Sequence, residues 1–145
     1  MISNYDTMND NKKYLAFISY KREDEKWAGW LQDVIERYRL PVSLKRKRPE
    51  LPASCRPLFR DSTDLCGGVL ADVIKRGLDN SKYLIVICSP RAASSQWVCK
   101  EVQEFIDSGR ADNIIPFIIE GCPNSSDPSK ECFPAVSYTH LTLPT

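Results

Sequence analysis

The sequence predicts an α/β domain in which helices cover both faces of a central parallel sheet. Three observations carry this. Short apolar runs alternate with segments of helical periodicity. The clearest run, KYLIVICS (82–89), is continuously apolar and rich in branched residues, as a strand buried on both faces must be. The links between elements are mostly short, which favours right-handed strand-helix-strand crossovers. The result is a flavodoxin-like, three-layer α/β/α arrangement.

In chain order, YLAFIS (14–19) is a first buried strand ended by a polar cluster. DEKWAGWLQDVIERY (24–38) follows, with Trp27, Trp30, Leu31, Val34, Ile35 and Tyr38 at helical spacing and acids in the first turn, where they complement the helix dipole. The proline-rich stretch 39–56, with its KRKR run, reads as a solvated loop or irregular insertion. PLFRD (57–61) is a second short strand. STDLCGG interrupts the pattern, and VLADVIKRGLDN (69–80) places Leu70, Val73, Ile74 and Leu78 on one helical face, with Gly77 weakening its last turn. After the central strand, Ser94 or Ser95 caps a third helix that runs to about Ser108 and stops at Gly109. NIIPFIIEG (113–121) is a fourth strand, where Pro116 argues for a sheet edge or a bulge.

Composition excludes several classes of function. A chain of 145 residues with net charge +1 fits one domain and exerts no polyelectrolyte pull toward nucleic acid or membrane. Residues 1–13 are polar and lack a signal-peptide core, and no apolar run reaches the length of a membrane span, so a cytoplasmic location is expected. The six cysteines contain no C-x-x-C pair and are expected to be reduced, structural thiols. The one histidine, His140, lies in the tail, which argues against Ser-His-Asp, Cys-His and most zinc chemistry. That tail, VSYTHLTLPT (136–145), lacks periodicity and reads as the in-frame translation of a transposon-end sequencing adapter. The expected organisation is therefore a polar tail (1–13), the domain proper (14–135) and a non-native tail (136–145). No dinucleotide fingerprint, Walker motif or metal-ligand spacing is present.

In a parallel sheet of this kind, ligands sit beyond the carboxyl ends of the strands. SYKRED, RDSTDLCGG and SPRAASSQW all follow strands and converge there. They bring with them Lys21, Arg22, Asp61 and Asp64, and the helix beginning near Gln96 adds Trp97 and Glu101. Val98, Val102, Phe105 and Ile106 share that helix's apolar face, with Trp97 and Glu101 on its shoulder. Taken from the residues alone, each candidate has an ordinary reading: a solvated basic loop, Asx-turns, core packing for Trp97, and a surface acid for Glu101.

FISYKRED (17–24) resembles the first conserved box of Toll/interleukin-1 receptor (TIR) domains. RDSTDLCGG resembles that family's BB loop, with Asp61, Leu65 and Gly68 at its acid, leucine and glycine. LIVICSP (84–90) is similar to the third strand with its terminal Ser-Pro, and WVCKE (97–101) to the region that carries the glutamate of NAD-cleaving TIR enzymes. The resemblance implies that Glu101 engages the ribose beside nicotinamide while the N-glycosidic bond breaks, with Lys21 and Arg22 facing the diphosphate or ribose, Trp97 walling the pocket, and Asp61, Leu65 and Gly68 of the BB loop among the substrate-binding residues. NAD would then be a substrate, with no further cofactor. Partners would be other TIR domains by self-association, not nucleic acid or membrane, and the setting bacterial signalling or anti-phage defence. The family's last strand and helix, with their Phe-Trp box, are missing from this chain, the KRKR insertion is additional, and Cys66 and Val69 stand at BB-loop positions that are often polar. A non-enzymatic TIR-to-TIR binding module is the alternative reading. A response-regulator receiver would require an aspartate where Ser89 stands, and a nucleoside deoxyribosyltransferase would share the carboxylate chemistry.

Overall fold

A computed structural model of the chain describes residues 13–52, 54–60 and 68–135. Among these residues four strands, β1 (Tyr14–Ser19), β2 (Leu58–Arg60), β3 (Ser81–Cys88) and β4 (Ile114–Ile118), form one sheet in the order β2-β1-β3-β4. All three pairings are parallel. The principal helices are α1 (Glu25–Arg37), α2 (Val42–Lys47), α3 (Gly68–Asp79), α4 (Pro90–Ala93) and α5 (Gln96–Asp107).

Period-two alternation divides the apolar strand residues between two cores. Phe17, Leu84, Val86 and Cys88 point to one face, where Ile74 and Leu78 of α3 and Val98, Val102 and Phe105 of α5 cover them. Ala16, Ile18, Leu58, Ile85 and Ile87 point to the other, against Ala28 and Leu31 of α1. The expected three layers follow directly. The chain steps from β1 outward to β2 and then returns to the far side of β1 as β3, so the winding reverses between β1 and β3. A crevice is expected at the carboxyl ends of those two strands.

Several details differ from the sequence expectation. The stretch 39–56 contains a short helix, α2, with no buried residue, which explains why hydrophobic periodicity gave no sign of it. Helix α1 buries Ala28 and Leu31 and half-buries Ile35, whereas Trp27 and Trp30 are 46% and 51% exposed. The Trp30 ring lies 6.4 Å from Phe117 of β4, stacked across the flank of the sheet. Four residues after β3 form α4, a turn of helix capped by Ser89, and it is Ser95 that caps α5. Gly109 follows α5 at φ +84°, its N–H donating to the Ile106 carbonyl oxygen at 3.0 Å. Pro116 lies on β4, which has β3 as its neighbour at the edge of the four-stranded sheet.

Gly77 has a steric role that helix propensity conceals. A Cβ at this position would lie 2.8 Å from the Phe59 ring. That ring cannot easily yield, because it stacks on Phe17 at 5.2 Å and meets Tyr14 edge-on at 5.1 Å. Gly77→Ala should therefore destabilise the domain even though alanine is the better helix former. The propensity gain is about 1 kcal/mol, against about 1–3 kcal/mol for overpacking. Urea unfolding checks this, and a midpoint at or above that of the parent would contradict it.

Candidate functional site

The carboxyl edge of the sheet is built from the ends of β1 and β3 and the first turns of α5. Ser95 starts α5 by accepting a hydrogen bond from the Val98 N–H at 3.2 Å. Val98, Val102 and Phe105, each 0–1% exposed, fix the helix against the sheet. Glu101 lies within that same stripe, since 98, 101, 102 and 105 follow the i, i+3, i+4, i+7 pattern of a buried helical face. Its carboxylate is accordingly 4% exposed, and the Ser19 hydroxyl, at the last residue of β1, donates to Glu101 Oε1 at 2.8 Å. The structure thus corrects the expectation of a residue on the helix shoulder: Glu101 is inside.

The other candidates are distributed unevenly. Trp97 is half-buried and packs against the same core, with Lys100 Nζ 5.7 Å from its ring centroid. Lys21 and Arg22 follow β1 at the same edge. Lys21 is half-buried and its carbonyl accepts the Asp24 N–H at 2.7 Å, whereas Arg22 is exposed on a single 3-10 turn (Arg22–Asp24). Gly68 is the first residue of α3. Asp61, Leu65 and Asp64 lie outside the described residues.

Sequence reasoning missed a second carboxylate at this edge. Asp24 is 2% exposed. The Ser89 hydroxyl donates to its Oδ2 at 2.5 Å, and Arg91 donates from Nε to its Oδ1 at 2.9 Å, with Nη2 at 2.8 Å from the same oxygen. Arg91 also reaches Glu120, Nη1 donating to Oε2 at 3.2 Å. Glu120 and Asp24, in that order, raise the Arg91 pKa above its ordinary value. Ser89 accepts the Ala92 N–H as well, so one hydroxyl caps α4 and holds Asp24. The segments after β1, β3 and β4 are thereby tied together. The acid closing FISYKRED and the serine just after β3 were the available signals, but only the register of parallel strands brings them into contact.

This chemistry is that of carboxylates and hydroxyls. Cys88, at the end of β3, is 1% exposed and its thiol is pushed up to about 12, chiefly by desolvation, so it is no nucleophile at neutral pH. Among the described residues no three His, Cys, Asp or Glu side chains are grouped to hold a metal ion. Among the same residues no helix is long and apolar enough to cross a membrane.

A family model described as TIR domain matches residues 16–142. The chain belongs to the TIR-domain family. The strand-end segments tied by Asp24, Ser89 and Arg91, and the buried Glu101, are thus features of a TIR domain. A curated relative, NAD(+) hydrolase ApTIR of an Actinoplanes species, is 30% identical over 110 residues. The match covers 75% of this chain and 14% of that relative, so the TIR domain here spans a small part of the relative's length.

Two outcomes follow from this edge. Removing Arg91 strands most of the charge on Asp24, so Arg91→Ala should cost about 1–3 kcal/mol, toward the low end because Arg91 is 38% exposed. Arg48→Ala, at the exposed Arg48–Glu50 pair, should leave the urea midpoint unchanged, and equal losses in the two variants would contradict the clamp. For Cys88, the folded pKa is raised above the unfolded value of 9.0. Its neutral thiol stabilises the fold below pH 9, and that contribution is lost as pH rises toward about 12. Alkylation at pH 8 should modify the exposed Cys122 in the native protein and reach Cys88 only after unfolding. Rapid native labelling of Cys88 would contradict its burial.

Proposed function

We propose that this TIR domain cleaves the N-glycosidic bond between nicotinamide and ribose in NAD, with Glu101 as the catalytic carboxylate. The observation that carries the proposal is the placement of Glu101 at the carboxyl edge, beside the β1–β3 switch point, with its Oε1 oriented by the Ser19 hydroxyl. The resemblance of WVCKE and the naming of the Actinoplanes relative as an NAD(+) hydrolase support the choice of substrate.

Nicotinamide departs with the electron pair of the C–N bond, leaving an oxocarbenium-like ribose. A carboxylate held rigidly beside that carbon stabilises the developing positive charge, and one such preorganised group is worth about 3–4 kcal/mol. Water then adds to C1′ and loses a proton, giving ADP-ribose; attack by a ring nitrogen of the adenine gives a cyclic isomer instead. Lys21 and Arg22 are assigned to the diphosphate or ribose and Trp97 to the pocket wall, and no separate cofactor is required. Because Glu101 is enclosed, the ribose reaches it only when neighbouring groups part. Assembly with further TIR domains would favour that opening, so turnover should rise more steeply than in proportion to protein concentration.

A binding module that docks TIR domains without turnover is the second reading, favoured by the exposed apolar residues Trp27, Trp30, Val34, Ile115 and Ile118. Incubation with NAD separates the two. The enzyme reading expects nicotinamide release that falls at least about 100-fold in Glu101→Gln and Glu101→Ala, with far-UV circular dichroism unchanged. Equal turnover by folded variants would contradict the role of Glu101. Self-association with no nicotinamide at any concentration would favour the docking module.

A further inference from the structure

The amino ends of the strands, opposite the edge that carries Glu101, hold a separate concentration of charge. Lys13 precedes β1, Arg56 precedes β2, Lys82 is the second residue of β3, and Lys45 is contributed by α2. These four cations line one depression of about 360 Å³, with Tyr14 on its wall and Glu50 as the acid among its lining residues. That volume falls within the roughly 300–1,000 Å³ of small-molecule sites.

The charge imbalance is local to this depression. The whole chain carries a net +1, yet cations here outnumber acids four to one. Glu50 is itself engaged by Arg48, whose hydrogen bond is the main cause holding the Glu50 carboxyl below its ordinary range. Lys45, Lys13 and Lys82 each make a contact that restrains the side chain. Lys45 Nζ donates to the carbonyl oxygens of Pro49, at 2.7 Å, and Leu51, which anchors its charge at the wall and leaves the third of its three N–H bonds for another acceptor. Lys13 Nζ lies 5.4 Å from the Tyr14 ring centroid, and Lys82 Nζ lies 5.0 Å from that of Tyr83. Side chains already ordered lose less freedom when they engage a ligand. Within the KRKR run, Lys45 is half-buried while Arg46, Lys47 and Arg48 are exposed, so the insertion is not uniformly a solvated loop.

The geometry points to an anion-binding site at the amino edge of the sheet, built by Lys13, Lys45, Arg56 and Lys82, that takes a diphosphate-bearing ligand. A diphosphate matches several cations that line one depression better than a singly charged anion does. Free pyrophosphate and a nucleoside diphosphate share that chemistry; the Tyr14 wall offers an apolar face to the latter. This site is independent of the edge assigned to NAD.

Calorimetric titration of the full chain with pyrophosphate, and separately with ADP, tests it. Lys13 and Arg56 are both exposed, so the Lys13→Ala/Arg56→Ala double variant should keep its fold by circular dichroism while binding pyrophosphate at least about tenfold more weakly. Arg56→Glu alone should weaken binding in the same direction, and rising salt should weaken it further. The Lys26→Ala/Arg37→Ala variant, altered at two exposed cations of α1 that do not line the depression, should bind pyrophosphate as the parent does. ADP binding tighter than pyrophosphate would identify a nucleotide ligand; equal binding would identify the diphosphate alone as recognised. No heat with either probe at millimolar concentration would overturn the proposal. So would binding unchanged in the amino-edge variants, or binding lost equally in the Lys26/Arg37 variant.

Discussion

The hydrogen bond from Ser19 to Glu101 joins the end of the first strand to the second turn of α5, and much of the carboxyl edge depends on it. A carboxylate taken out of water must receive hydrogen bonds or charge in return. Here the compensation begins with a hydroxyl that is itself 1% exposed, so neither group can be replaced without disturbing the other. The pairing is possible only because Val98, Val102 and Phe105 bind α5 firmly to the sheet and because β1 lies at the centre of the strand order. A core contact and a candidate reacting group are thus parts of one arrangement.

Around that pair, the edge is made rigid by a second polar cluster. Asp24, Ser89, Arg91 and Glu120 belong to segments far apart in sequence, and their hydrogen bonds fix the exits of β1, β3 and β4 relative to one another. Reaction sites gain from such preorganisation, because a group held in place beforehand needs no reorganisation when charge develops. The opposite end of the sheet shows the same economy of construction, with Lys45 anchored on two carbonyl oxygens. The two edges differ in character: buried carboxylates and hydroxyls at one, accessible cations at the other.

Much of the fold was legible because it rests on periodicity. YLAFIS coincides with β1, and KYLIVICS differs from β3 by a single residue at each end. The helix face of α1 was harder to read. Its tryptophans share the helical spacing of Leu31, but a small residue, Ala28, makes the close contact with the sheet. Helix α2 was not legible, since a helix with no buried residue leaves no hydrophobic signature. At the site, Glu101 was singled out but placed on the shoulder of its helix beside Trp97, whereas its spacing from Val98, Val102 and Phe105 sets it within the buried stripe. Asp24 went unmarked, as its partners Ser89 and Arg91 are brought near only by the parallel pairing of β1 and β3.

The central claim is that the carboxylate of Glu101 meets the ribose that bears nicotinamide. A crystal structure of the Glu101→Gln variant soaked with NAD addresses it most directly, since the amide preserves shape while slowing turnover. The expected result is a side-chain oxygen at position 101 within about 3 Å of a hydroxyl of that ribose, with Ser19 displaced or re-paired. NAD bound elsewhere, with position 101 still enclosed against Ser19, would contradict the account.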